Sequence, residues 1–322
     1  MEFFILLLVL LILFPLIPYL FFYFKLENPI NIKKPSHGSF AKLSNGKIFY
    51  ELIEPQSPNG EIILLVHGFS TPSIVWKGVI PFLLEKGFKV LAYDHYGRGY
   101  SSRPKIKYTK EFYLKTITEL LNYLNIEQKI HLVGYSMGGP IVGYYADENP
   151  KSVSSVNFIA PAGYMFESKT DTNLYLKILN IPGVSQYISV VMPSLMYGGN
   201  SSIELSSKED KNRLSQLDLN NVYREQMKYE GFTRSLLSTA KHFNLFNSKK
   251  MYQNLGTKKI SASVIWGSVD EIVPVDGLKS LITDIPSINH KVIENGFHDI
   301  TYALPSKVGP FLAEQITDFS ND

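Results

Sequence analysis

The sequence predicts an α/β domain with a mostly parallel central sheet flanked by helices and interrupted by an inserted, mostly helical lobe. Three observations carry this. Short, continuously apolar runs alternate with longer stretches of helical period, the pattern of strands buried on both faces. The runs end in Gly, Asp or His, at the carboxyl edge where open α/β sheets hold ligands. The alternation lapses from about Gly163 to Leu255 and then resumes.

The chain opens on an apolar segment. Phe3 to Phe24 carries no polar side chain except Tyr19 and Tyr23. As a helix it would rise roughly 33 Å, enough for a hydrocarbon core of ~30 Å. Pro15 and Pro18 would kink it, and Phe21 to Phe24 would sit at the interface before Lys25. Glu2, and the lack of any Ala, Gly or Ser before Ser36, argue against a cleaved leader. The expectation is a single-pass membrane anchor over residues 1–24 and a polar linker over 25–38. Lys25, Lys33 and Lys34 follow the span and place the body on the cytoplasmic side.

The body reads in order. Lys47 to Ile53 is a strand, as is Glu61 to Val66, which runs into His67-Gly68. Val75 to Lys86 is helical, and Phe88 to Tyr93 is a strand ending at Asp94. Thr109 to Asn125 is helical, and Ile130 to Val133 is a strand ending at Gly134. Ser136 to Glu148 is a helix stopped by Asn149-Pro150, followed by the strand Val153 to Ile159. In the inserted lobe Leu174 to Leu179 and Tyr223 to Phe243 look helical. Then come the strand Ser263 to Trp266, the helix Pro274 to Thr283, the strand His290 to Ile293 and a final helix Thr301 to Phe319. The core is thus expected over 39–162 and 256–322, with the insertion over 163–255.

Composition narrows the chemistry. Of 322 residues 45% are hydrophobic and 19% charged, which excludes a disordered chain. The net charge of +3 comes without a basic cluster, so no nucleic acid is expected as a partner. The absence of cysteine removes a disulfide scaffold, a thiol nucleophile and thiolate-bound zinc.

Gly134-Tyr135-Ser136-Met137-Gly138 fits G-x-S-x-G between a buried strand and a helix. Such a turn projects the serine hydroxyl where a helix start favours negative charge. A serine nucleophile needs a base. Among the seven histidines, His298 stands in a glycine-containing loop after the last strand, able to reach the sheet edge. His67 and His95 also stand at strand ends, and His67 reads as structural. The base needs an acid to fix its tautomer. Asp270 follows the strand ending at Trp266, at the same edge, with Glu271 and Asp299 as rivals expected to be solvated or structural. An oxyanion needs two backbone donors, expected from Met137, after the serine, and Phe69, in the loop His67-Gly68-Phe69-Ser70.

The order Ser136, Asp270, His298, together with His67-Gly68-Phe69 and Asp94-His95-Tyr96-Gly97-Arg98-Gly99-Tyr100-Ser101, resembles the α/β-hydrolase superfamily. The resemblance covers about residues 40 to 319. It implies that Asp94 to Ser101 is a structural loop and that the insertion is the family's cap, or lid. The apolar amino terminus, His67-Gly68-Phe69-Ser70 and Ile159-Ala160-Pro161-Ala162-Gly163 resemble, more narrowly, the membrane-anchored monoacylglycerol lipases of the abhydrolase-6 type. That implies a monoacylglycerol or related lipid ester as substrate, hydrolysed through an acyl-enzyme with no metal or organic cofactor. The same triad could serve carbon–carbon bond hydrolysis or peptidase action. An epoxide hydrolase or dehalogenase would want aspartate where Ser136 stands. Apolar clusters at Ile188–Met192 and Leu195–Tyr197 read as cap packing or as an acyl channel.

Overall fold

The structure is a computed structural model that describes residues 14–33, 35–164, 181, 183–192 and 205–321. Expectations for residues 3–13, 174–179 and 195–197 lie outside these.

Residues 14–23 are helical, with Phe14, Ile17 and Phe21 more than half exposed. Among the described residues no helix is long and apolar enough to cross a membrane. The span expected over Phe3 to Phe24 is therefore not supported. The chain turns at Phe24 and Lys25, and residues 3–13 of the expected span lie outside the described residues. The linker beyond is tied down. The Glu27 N–H donates to the Lys228 carbonyl at 2.8 Å, and the Glu230 N–H donates to the Glu27 carbonyl at 2.9 Å.

Strands β1 (Ser39–Leu43) and β2 (Gly46–Ile53) form a hairpin through Ser44 and Asn45. Strand β1 is absent from the sequence reading, because this edge strand buries only Ala41 and so shows no apolar run. Strands β3 (Ile62–Val66) and β4 (Lys89–Tyr93) follow, joined through a short turn at Ser73–Trp76 and helix α1 (Ile80–Glu85). A single helix over Val75 to Lys86 does not form. Pro81 lacks an N–H and fits only in a first turn, so the helix begins there. Helix α2 (Lys110–Tyr123) is capped by Thr109, whose hydroxyl accepts from the Phe112 N–H. It leads to β5 (Ile130–Tyr135), α3 (Gly138–Glu148) and β6 (Val153–Ile159).

Between β6 and β7 the described chain contains α4 (Val184–Val191), α5 (Gln216–Lys228), α6 (Phe232–His242) and α7 (Lys249–Gly256). The expected helix over Tyr223 to Phe243 is two helices. Gly231 has φ +94°, and Arg103 Nη1 donates to the Gln226 and Tyr229 carbonyls at the end of α5. The core resumes with β7 (Ser261–Gly267), α8 (Gly277–Asp284), β8 (Asn289–Ile293), α9 (Ile300–Ala303) and α10 (Pro305–Asn321). The final helix is divided at Leu304, since Pro305 offers no N–H and drives the residue before it out of the helix.

The eight strands form one sheet in the order β1-β2-β4-β3-β5-β6-β7-β8. Strands β1 and β2 pair antiparallel, as do β2 and β4, and all later pairs are parallel. Every residue of β3 and β5 is buried, because helices cover both faces. Leu132, fully buried in β5, illustrates the packing: its truncation to Ala should cost ~2–5 kcal/mol. From β3 the chain passes first to β4 on one side and later to β5 on the other. The loops leaving β3 and β5 diverge there and open a crevice at the carboxyl edge.

Candidate active site

Ser136 stands in that crevice. Strand β5 ends at Tyr135 and α3 begins at Gly138, so the chain must reverse within two residues. Ser136 takes φ +53°, a left-handed conformation costly for a residue with a side chain. Three backbone bonds hold it: its N–H donates to the Ile159 carbonyl at 2.9 Å, and its carbonyl accepts from the Gly139 N–H at 2.9 Å and the Ala162 N–H at 3.0 Å. The flanking glycines are required by contact. A methyl at Gly138 would run into the Val66 carbonyl, and one at Gly134 into the Gly138 carbonyl.

The structure brings the three residues of the expected triad together. The Ser136 hydroxyl lies 2.9 Å from His298 Nε2, and His298 Nδ1 lies 2.7 Å from Asp270 Oδ2. A carboxylate beside Nδ1 keeps the ring proton there, which leaves Nε2 to accept from the serine O–H. Asp270 Oδ1 accepts from the Ile272 and Val273 N–H groups at 3.0 and 2.8 Å, so the carboxylate cannot rotate freely. The Tyr135 hydroxyl donates to the His298 carbonyl at 3.0 Å and anchors the β8–α9 loop. Tyr135 fills the unspecified position of the G-x-S-x-G motif, so the motif alone gives it no role.

Gly68 lies against the serine: a methyl there would come within 3.3 Å of the Ser136 Cβ. The neighbouring Phe69 N–H and the Met137 N–H make no hydrogen bond among the described residues.

Glu271 is exposed. Asp299 is buried and accepts from the Ser206 N–H at 2.8 Å and from the Ser206 hydroxyl, tying the last core loop to the segment that precedes α5. Burial raises its pKa. His67 is fully buried, with Nδ1 donating to the Gly68 carbonyl at 2.9 Å and Nε2 accepting from the His95 N–H at 2.9 Å. Burial first, and the Arg98 charge second, push its pKa down to about 3. His95 is likewise lowered by burial, then by His67 and Arg98. Both imidazoles are neutral spacers under the donor loop. Asp94 is buried and accepts from the Ser73 N–H and hydroxyl and from the Tyr100 N–H, at 2.7 to 2.9 Å. Burial raises its pKa to about 6. No cluster able to hold a metal ion occurs among the described residues.

A cavity of about 880 Å³ lies apart from Ser136, between the linker, β2, α1 and α5. Its walls include Phe49, Ile53, Ile74 and Val222, and none of the triad residues lines it.

Residues 61–302 match the family model described as alpha/beta hydrolase fold. Monoacylglycerol lipase abhd6-B of Xenopus laevis is 26% identical over 301 residues, covering 93% of this chain and 85% of that relative. Among solved structures, an esterase from Exiguobacterium antarcticum superposes with a TM-score of 0.70 at 18% identity, over 87% of this chain and 99% of its own. A meta-cleavage product hydrolase from Pseudomonas fluorescens IP01 superposes with a TM-score of 0.63 at 18% identity, over 88% and 98%. These two share the fold.

Proposed function

The chain belongs to the α/β-hydrolase fold family, and from that premise we propose that it is a serine hydrolase that cleaves carboxylic esters through an acyl-enzyme. The observation that carries this is the hydrogen-bonded chain from Ser136 through His298 to Asp270, at 2.9 and 2.7 Å. Ser136 Oγ attacks the ester carbonyl while His298 Nε2 removes its proton. Asp270 holds the ring and stabilises the imidazolium. The Phe69 and Met137 N–H groups receive the oxyanion. His298 then protonates the leaving alcohol, and water, activated by the same imidazole, hydrolyses the acyl-enzyme. Each step uses residues of this chain alone.

The substrate in this reading is a monoacylglycerol or related lipid ester. Support comes from the relative named monoacylglycerol lipase, and from the apolar residues of segment 14–24, which stand exposed beside the linker. That segment, with the residues before it, would hold the body at a membrane surface on the cytoplasmic side. The cap, over 163–255, would choose the acyl chain and head group.

Labelling with a fluorophosphonate, followed by turnover of a panel of acyl esters, dienoic diketones and peptides, tests the reading. Ser136→Ala should abolish labelling and lower kcat by up to ~10⁶-fold. Full esterase activity in that variant would end the proposal. Turnover of a diketone or peptide with no ester hydrolysis would replace the substrate class.

A further inference from the structure

Arg98 is fully buried in the loop after β4 and forms no ion pair among the described residues. Taking a guanidinium out of water without a carboxylate is costly, so its hydrogen bonds have to compensate. Nε donates to the Phe69 carbonyl at 2.9 Å. Nη1 donates to the Tyr96 carbonyl at 3.2 Å and to the Ser235 hydroxyl at 3.3 Å. Nη2 donates to the Thr239 hydroxyl at 3.0 Å. The rings of Phe69 and Tyr108 each lie 5.7 Å from the guanidinium carbon. Ser235 and Thr239 are four residues apart, on one buried face of α6. One side chain therefore joins a helix of the cap to the residue expected to supply an oxyanion donor.

A second side chain holds the next peptide. Gln226, buried on α5, donates through Nε2 to the Ser70 carbonyl at 3.2 Å and accepts at Oε1 from the Gly99 N–H at 2.8 Å. The carbonyls of Phe69 and Ser70 are thus both gripped by side chains that bridge the core loop and the insertion. This matters because Gly68 precedes Phe69. A glycine leaves its peptide free to turn, and the direction of the Phe69 N–H is set by that peptide. Within the loop only the His67 ring holds the peptide that carries the donor, through the Gly68 carbonyl at 2.9 Å, and the Arg98 bond to the Phe69 carbonyl fixes the peptide on the other side of Phe69.

We propose that Arg98 is a positioning residue of the oxyanion hole: it holds the Phe69 carbonyl and cap helix α6 together, so that the hole is formed only while the cap is seated. The uncompensated charge behind the loop also favours an anion in front of it. The inference rests on the ester-hydrolase reading above.

Full-length Arg98→Met, Arg98→Lys and the double variant Ser235→Ala/Thr239→Val test it. Active sites are counted by the burst with a chromogenic ester, and kcat and KM are measured on p-nitrophenyl butyrate. Binding of a trifluoromethyl ketone is measured alongside, since its adduct with serine is an anionic hemiketal. Removal of one oxyanion donor costs ~10²–10³-fold in kcat, and a misplaced donor should cost Arg98→Met ~10–100-fold per counted site. The ketone should weaken by the same factor, with KM within about twofold. Arg98→Lys and the double variant should show smaller losses with the same coupling. A merely structural arginine would lower Tm and the number of active sites but leave kcat per site and ketone affinity unmoved. That result, or a kcat loss without a matching loss in ketone affinity, overturns the proposal. Should Arg98→Met not fold, the other two variants decide by the same ratio. Wild-type protein that neither labels nor turns over ester refutes the functional reading instead.

Discussion

Replacing Asp270 with Asn tests the triad more sharply than removing it. In the native site Oδ1 already accepts two backbone bonds, from Ile272 and Val273 at 3.0 and 2.8 Å. Asparagine has one acceptor oxygen, and that oxygen has to stay with these N–H groups, or the buried Val273 N–H is left without a partner. The amide NH₂ then faces His298 Nδ1, where the carboxylate oxygen stood at 2.7 Å. Two donors cannot meet, so the ring proton moves to Nε2 and points at the Ser136 hydroxyl 2.9 Å away. The serine then has a donor where it needs a base. The expected loss in kcat is ~10⁴-fold, as for the corresponding change in other serine triads, or about 5.5 kcal/mol of transition-state stabilisation. KM should change little, because the substrate touches neither group. Tm should stay within a few degrees, since the backbone bonds to Oδ1 survive. The assay is kcat on a soluble ester per folded molecule, with the second-order rate of fluorophosphonate inactivation alongside. Folded Asp270→Asn with more than about a tenth of wild-type kcat would refute the tautomer argument. So would a larger loss in Asp299→Asn or Glu271→Gln than in Asp270→Asn.

Other expectations follow from the same structure. Gly138→Ala drives a methyl into the Val66 carbonyl, a backbone atom that cannot yield without moving the donor loop. It should cost at least ~1–3 kcal/mol in chemical denaturation and a larger fraction of kcat than its effect on Tm suggests. His67 has a folded pKa of about 3, far below the ordinary value of 6.5. Between those values the unfolded chain binds the extra proton, so the contribution is complete above pH 6.5 and is lost as pH falls toward 3. His67→Asn should therefore lose less Tm than wild type over that window in a thermal melt, and equal slopes would refute the assignment. Deletion of residues 3–24 should move the protein from the membrane pellet to the supernatant of a cell lysate. A truncated protein that still pellets with lipid would place the membrane contact elsewhere.

The alternation of apolar runs with helical stretches was enough to place β2 through β8 in order, because strands buried on both faces need continuous apolar sequence. The turn around Ser136 was legible for a related reason: Gly134 and Gly138 are local requirements of a tight reversal. Edge strand β1 was not legible, since only Ala41 is buried and solvent tolerates the rest. Nor were the ends of α1, α5 and α10, where proline, glycine and the distant Arg103 override local periodicity.

By itself the sequence determined the fold class, the loops that meet at the carboxyl edge and a short list of nucleophile, base and acid. Those properties follow from local pattern and from the rule that parallel strands deliver their loops to one edge. Only the tertiary structure decided which atoms meet. Asp270 rather than Asp299 faces His298, because Ser206 returns from the insertion to occupy the Asp299 carboxylate. Arg98 reaches Phe69 on one side and Thr239, 141 positions away, on the other. A buried cation must find its acceptors wherever the folded chain brings them, and such long-range hydrogen bonds leave no periodic trace in the sequence.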